Sequence, residues 1–224
     1  MPAKLEVACF DLPSAHIALQ AGAHRIEFCT DRAAGGLTPD LTQVQALRQQ
    51  TATPLYAMVR PVGGGFVYAP AAFQAMRQTI IDFKSAGVDG LVFGILDAHG
   101  QVDAAANREL VTLAHPLPCT FHRAFDQVSD PLQAVETVID CGFQTLLTSA
   151  GAPTAIEGLP LLQQLVAQAQ GRIHIMPGGG VRAAHISALH TALQVPFYHT
   201  AAITPTSDPL PDAAEIASLL QSLQ

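Results

Sequence analysis

The sequence predicts an α/β protein, a single-domain (β/α)8 TIM barrel over residues 1–224, and three observations predict it. Apolar, β-rich runs alternate with amphipathic segments that carry helix signals. One phrase recurs where a helix ends and a strand begins: Ala21-Gly-Ala-His-Arg-Ile26, Ala86-Gly-Val-Asp-Gly-Leu91 and Cys141-Gly-Phe-Gln-Thr-Leu146. In it Gly takes the left-handed cap and the apolar residue behind it packs under the helix. Third, six of the apolar runs carry one or two polar side chains at their C-terminal end or inner face, and (β/α)8 barrels keep their chemistry at that end of the strands.

In chain order, a strand at 4–9 is followed by a helix at 13–21, and a strand at 24–29 by a helix at 40–50. The run 54–60 precedes a helix at 70–86, and 89–94 precedes one at 103–115. Strands at 118–123 and 144–149 lead into helices at 130–140 and 154–170. A strand at 172–176 is followed by a short helix at 182–190, and the last strand, 197–200, by a helix at 211–223. Helix starts carry Asp, Ser or Thr caps with Pro close behind, as at Asp130-Pro131. An open doubly wound sheet would need edge strands shorter or more polar than the others, and none stands out.

With 49% hydrophobic and 13% charged residues, 224 residues bury a full core. A net charge of −7 and only 11 Lys plus Arg, none of them clustered, exclude the footprint of a nucleic-acid binder and disfavour an anionic membrane surface. No apolar stretch reaches the ~18 residues of a membrane span, and no signal-peptide core follows the N-terminus, so a cytoplasmic location is expected. The four cysteines, at 9, 29, 119 and 141, form no C-x-x-C pair and are expected as thiols.

Strands buried on both faces read as continuous apolar runs, so a charged residue in one needs a partner, a ligand or a functional reason. If Glu27 points into the barrel, Arg25 and Cys29 share its parity; Met58 goes with Arg60 and Thr120 with His122. Glu6, Glu27, Arg60, His122 and His199 then ring one mouth, and with Asp126 they form the candidate catalytic set. The alternative is an ion-pair network, Glu27 to Arg60 for example, that plugs the barrel. The loop Met176-Pro-Gly-Gly-Gly-Val-Arg182 after the seventh strand marks Gly178, Gly179 and Gly180 as a phosphate seat at a helix N-terminus, with Ser149 adding a hydroxyl. Glycines that merely make a tight turn are the other reading. A further loop, Pro61-Val-Gly-Gly-Gly-Phe66, is placed at the rim.

Several phrases occur together: Arg25-Ile-Glu-Phe-Cys29, Gly35-Gly-Leu-Thr-Pro39, Arg60-Pro61 with Gly63-Gly64, Thr120-Phe-His-Arg-Ala-Phe-Asp126, Leu147-Thr-Ser149 and Gly180-Val-Arg182. This set resembles the CutC family from the first strand to the eighth. The resemblance implies a (β/α)8 barrel, a cytoplasmic homo-oligomer (dimer or tetramer) and a role in copper homeostasis. The chain departs from the family pattern where Arg-Pro-Arg-Gly-Gly-Asp-Phe is usual. Here Val62 and Gly65 replace a cation and a carboxylate, so a ligand gripped by that arginine would bind more weakly.

Two functions follow. One is a copper-handling protein that binds Cu(I), which favours thiolate, thioether and imidazole, through Cys29 with Cys9 or a strand-end Met or His. Parity counts against the cysteine pair, because Cys29 points inward with Glu27 while Cys9 does not. The other is an enzyme acting on a small anionic or phosphorylated substrate. There Glu27 or Glu6 is the base or a metal ligand, His122 a general acid or base titrating near the working pH, and Arg60 an oxyanion clamp.

Overall fold

The computed structural model describes residues 3–224. Its strands are β1 (Lys4–Cys9), β2 (Arg25–Phe28), β3 (Leu55–Met58), β4 (Gly90–Phe93), β5 (Cys119–Phe121), β6 (Thr145–Thr148), β7 (His174–Pro177) and β8 (Phe197–Thr200). They alternate with α1 (Leu12–Gln20), α2 (Leu41–Gln50), α3 (Pro70–Ser85), α4 (Ala104–Ala114), α5 (Pro131–Asp140), α6 (Leu159–Ala169), α7 (Ala183–Leu193) and α8 (Ala213–Ser222). Every ladder is parallel and the order around the sheet is β7-β6-β5-β4-β3-β2-β1-β8. β7 and β8 meet without a ladder among the described residues. Pro177, which has no N–H to give, ends β7, and side chains bridge the top of the seam: the Thr200 hydroxyl donates to Val181 O at 2.9 Å. The result is the nearly closed (β/α)8 barrel that the alternation predicts.

Helix starts follow the expected chemistry. Asp11, Asp103 and Asp130 accept from the N–H groups of Ser14, Ala106 and Gln133 at 2.7, 3.0 and 3.1 Å, each satisfying a donor that the first turn leaves free. The recurrent glycines 22, 87 and 142 have φ of 89°, 81° and 93°, the left-handed cap expected of them. Two expectations need correction. The helix expected from residue 154 begins at Leu159, because 154–158 turns under the β7–α7 loop, with Ala155 N–H donating to Gly179 O at 2.8 Å. The seventh helix, expected to be short, runs 11 residues to a left-handed Gln194.

Period-two alternation splits the strands into two faces. Leu5, Val7, Cys9, Ile26, Phe28, Leu55, Ala57, Leu91, Phe93 and Phe121 join the helices in one apolar layer, where each large side chain contributes roughly 1.5–3 kcal/mol. The inward face is mixed: a small apolar cluster of Cys29, Tyr56, Met58 and Val92 sits beside buried Glu6, Arg25, Glu27, Thr120 and His199. Among the described residues no helix is long and apolar enough to cross a membrane.

The interior closes over Arg25, whose guanidinium carbon lies 4.2 Å from the ring centroids of both Tyr56 and Phe197. Tyr56 reaches this place because its ladder neighbour is Gly90. A Cβ on Gly90 would lie 2.4 Å from the Tyr56 ring. Gly90→Ala is therefore expected to cost about 2–3 kcal/mol by overpacking, measured by urea denaturation. Gly65→Ala, in open space, should stay within about 0.5 kcal/mol of the parent; equal stability of the two variants would contradict this packing account.

Candidate functional site

Parallel register sets Glu6 beside both Arg25 and His199, and Ala8 beside Glu27. One line of charge results. Arg25 Nε donates to Glu6 Oε2 at 2.5 Å, and Glu6 Oε1 faces His199 Nδ1 at 2.7 Å. The second ring nitrogen, Nε2, lies 3.6 Å from Glu27 Oε2. Burial alone would raise the Glu6 carboxyl, but Arg25 and His199 outweigh it and hold it below its usual range. Burial opposes the His199 imidazolium, and Glu27 and Glu6 overcome that, so its pKa is raised. Glu27 is pushed up to about 7 by burial, with Glu6 adding to the push against the pull of His199 and Arg25. Because the ionised Glu6 is acceptor-only, His199 carries a proton on Nδ1 and turns Nε2 toward Glu27.

Glu27 and His199 line a cavity of about 250 Å³ at the C-terminal mouth of the barrel, together with Cys29, Met58, Arg60, Phe66, His122, Arg123, Gly179, Gly180, Arg182 and Thr200. The structure thus brings Glu27, Arg60, His122 and His199 to one cavity, with Glu6 just beneath. Glu27 and Arg60 form no pair. The Arg60 guanidinium lies 4.7 Å from the Phe66 ring centroid, giving Nη1 to Ala34 O and Gly36 O at 2.6 and 3.2 Å and Nη2 to Gly64 O at 2.8 Å. Loop carbonyls, not a carboxylate, hold it. His122 also differs from expectation: burial, with Arg60 adding, pushes its pKa down to about 3, so the imidazole is neutral and does not titrate near neutrality.

Asp126 stands apart from the cavity. Its Oδ1 accepts from Thr148 Oγ1, Ser149 N and Gly151 N at 2.5, 3.0 and 3.1 Å, and Oδ2 from Arg123 Nε at 2.7 Å. That carboxylate pins the loop after β6. Ser149 is similarly committed, its hydroxyl donating to Ala152 O at 2.6 Å and accepting from Arg123 Nη2 at 2.9 Å. Gly178 gives its N–H to Thr148 O, and a Cβ there would meet Leu147 Cδ1 at 2.3 Å, so this glycine makes space rather than a seat. The N-terminus of α7 already holds a carboxylate, with Ala183 N–H donating to Glu215 Oε1 at 2.8 Å. Of the expected phosphate seat, Gly179 and Gly180 remain. Both have left-handed φ, 93° and 64°, and neither N–H has a partner among the described residues.

The paired-cysteine site is corrected as well. Cys9 lies in the helix-facing layer and Cys29 in the interior cluster, on opposite faces of the sheet. Burial pushes both thiols well above their usual range. Cys29 instead neighbours Met58: Cys29 Sγ and Met58 Cε each lie 3.6 Å from where a Cβ on Gly36 would sit.

Sequence reasoning missed Arg25, Arg123 and Arg182. Arg25 had a usable signal, an inward parity two residues before Glu27. Arg182 had none beyond closing the glycine loop; it donates to Val181 O, Thr200 Oγ1 and Ile203 O at 2.9, 3.2 and 2.8 Å. Neither Arg60 nor Arg182 has a carboxylate within ion-pair distance among the described residues.

Fold and site together define a (β/α)8-barrel protein with a polar, arginine-rimmed cavity at the C-terminal mouth. The CutC family model matches residues 3–204, and the chain belongs to the CutC family. It is 45% identical over 177 residues to the copper homeostasis protein cutC homolog of Mus musculus, covering 79% of this chain and 65% of the mouse protein's length. With the family protein CutC of Vibrio vulnificus it shares 42% identity over 201 residues, 89% of this chain and 80% of that one. The crystal structure of CutC from Streptococcus agalactiae superposes with a TM-score of 0.85 at 29% identity, covering 90% of this chain and 100% of that chain.

A pH dependence follows from the charge line. Folded, Glu27 keeps its proton between its ordinary 4.5 and about 7, where the unfolded chain has lost it. That stabilisation is complete below the lower value and lost as pH rises through the upper one; the raised His199 adds a loss of the same sign. Glu27→Gln should therefore be more stable than the parent at pH 8, by roughly 3 kcal/mol, and no different at pH 4. Denaturant melts at both pH values check this, and an advantage that persists at pH 4 would contradict it.

Proposed function

We propose that this chain is an enzyme that holds a small anionic molecule, bearing a phosphate or carboxylate, in the barrel mouth and moves a proton with Glu27. The observation that carries this reading is charge placement. In a chain of net charge −7, two arginines without carboxylate partners, Arg60 and Arg182, line the same cavity as a carboxyl that titrates near neutrality. Uncompensated cations beside a low-dielectric wall attract anions, and Gly179 and Gly180 offer two unused N–H groups beside them. A carboxyl whose pKa lies near the working pH is matched to general acid–base work. Burial raises its proton affinity, while His199, anchored by Glu6, faces it across 3.6 Å and pulls the other way.

Copper is the second reading, favoured by the relatives' names and by the neighbouring Cys29 and Met58. A thiolate and a thioether are donors that Cu(I) prefers, whereas Cys9 faces the other way. Glu6, Glu27 and His199 place ligand atoms within 4.8 Å of one another, but oxygen and imidazole donors suit a harder divalent ion, and both Glu6 oxygens are already engaged.

Each reading has its test. Calorimetric titration with inorganic phosphate should give millimolar or tighter binding to the parent and about tenfold weaker binding to Arg182→Gln, the loss of one charge-assisted hydrogen bond. Unchanged affinity in the variant would overturn the anion seat. In anaerobic Cu(I) titrations against a chromogenic chelator, a Cys29–Met58 site should be abolished by Cys29→Ser and untouched by Cys9→Ser. The reverse pattern would sink it.

A further inference from the structure

We infer that the mouth is built to take a proton from a carbon next to a carbonyl group, with Glu27 as the base and the N–H groups of His122 Nε2 and Arg60 Nε as donors to the carbonyl oxygen. This rests on the reading of the mouth as a proton-transfer site and names the chemical class of its substrate.

Three buried polar atoms carry the inference. Glu27 Oε1, Arg60 Nε and His122 Nε2 have no hydrogen-bond partner, and all three residues line the one cavity. A buried donor or acceptor left unpaired costs roughly 1–3 kcal/mol, so three such atoms on residues that line one cavity favour an occupant that pairs with them.

Their hydrogen-bonding sense specifies the occupant. His122 caps the 3₁₀ turn Arg123–Gln127, and its Nδ1 accepts from Ala124 N–H at 3.3 Å. That bond assigns the lone pair to Nδ1 and the proton to Nε2, which is therefore a donor. The ring is held edge-on between Phe66 and Phe121, with centroids 4.9 and 6.2 Å away. Behind it Gly94 leaves room, since a Cβ there would meet Nδ1 at 2.8 Å. Arg60 is fixed as firmly. Its Nη atoms give three of their four N–H bonds to loop carbonyls, and the Nε–H has no partner.

Two fixed donors and one base are the complement of a C=O with an acidic C–H beside it. The step balances without an oxidant or reductant. Glu27 takes the proton from carbon, the C–H electron pair becomes the new C=C bond, and the carbonyl π pair moves to oxygen. The resulting enolate oxygen is held by His122 and Arg60. With a hydroxyl on the deprotonated carbon, passage of the hydroxyl proton to that oxygen and return of the Glu27 proton to the neighbouring carbon complete an isomerisation. A neutral imidazole suits this role because it donates a hydrogen bond without surrendering its proton. Gly179, Gly180 and Arg182 are left for an anionic group at the substrate's far end.

The experiment follows hydrogen exchange. Dihydroxyacetone phosphate and ribose 5-phosphate are incubated with the protein in D2O, and loss of the C–H signal next to the carbonyl is read by proton NMR, with binding read in parallel by calorimetry. The parent should exchange at least one of them, with a rate that rises as pH passes about 7. Glu27→Gln should slow exchange by at least about 10²-fold and His122→Gln by about 10²-fold, the latter with less than threefold change in binding. Should His122→Gln fail to fold, the parent's ¹⁵N–¹H signal from His122 Nε2 takes its place. It should persist from pH 5 to 9 and shift when 2-phosphoglycolate is added. Binding without exchange, exchange that survives Glu27→Gln, or a His122 signal blind to 2-phosphoglycolate would overturn this inference and leave the anion seat standing. Absence of binding by either phosphate would remove the underlying reading instead.

Discussion

Glu6 is the group on which the rest of the mouth depends. It is a wholly buried carboxylate with both oxygens occupied, one by Arg25 and one by His199. An ionised carboxylate buried inside the barrel is tolerable only with a cation fixed beside it. Arg25 is fixed, by two aromatic faces and by a contact from Nη2 to Met176 Sδ at 3.2 Å. Once Glu6 is charged, His199 gains a proton, and the next carboxyl outward faces an imidazolium on one side and the Glu6 charge beyond it. Burial together with that second negative charge raises the Glu27 proton affinity against the imidazolium's pull. Burial sets the reactive end of the line, and Glu6 and Arg25, which lie below the lining of the mouth, adjust it in opposite directions.

The same line explains a feature of composition. Bulky groups fill part of the barrel interior, and their volume is accommodated where a facing residue has no side chain. Gly90 admits Tyr56, Gly94 admits His122, and Gly178 admits Leu147 and His199. Each glycine sits on the inward face of its strand or at its C-terminal end, so its function is to make room for a neighbour. Flexibility of the loops is a separate matter, confined to glycines such as 64 and 65 that meet nothing within 4 Å.

Nearly all of the fold was legible in the sequence, because alternation, Asp caps and left-handed glycines are local signals that tertiary packing reinforced. The exceptions were non-local. Residues 154–158 turn away from helix as Ala155 N–H donates to Gly179 O of the β7–α7 loop, and α7 outlasts its expected end because Leu193 packs inward before Gln194 turns the chain. At the site, parity correctly put Glu27, Cys29 and Met58 inside and Cys9 outside. It did not reveal partners. Pairing Glu27 with Arg60 overlooked Arg25, and reading Ser149, Gly178 and the α7 N-terminus as an anion seat overlooked Thr148, Asp126 and Glu215, which satisfy them from elsewhere in the chain. Nor does sequence disclose that His122 is desolvated, which is why its titration was placed near neutrality.

An acidic protein that receives an anion must solve an electrostatic problem locally. Beyond a Debye length of about 8 Å the net charge is largely screened, so what an approaching anion meets is the rim. There Arg60 and Arg182 are uncompensated, while Arg123 is neutralised by Asp126. The internal charges balance in pairs: Arg25 with Glu6, and His199 with Glu27 once Glu27 ionises. Near neutral pH Glu27 is only partly ionised, so the field at the mouth is positive when an anion enters, yet the proton-free form remains within reach. A carboxyl with an ordinary pKa would add a permanent negative charge beside the anion and, being a weaker base, would remove a proton from carbon less readily. Placing the raised carboxyl behind an imidazolium and opposite two neutral-to-cationic donors reconciles anion capture with basicity in one small cavity.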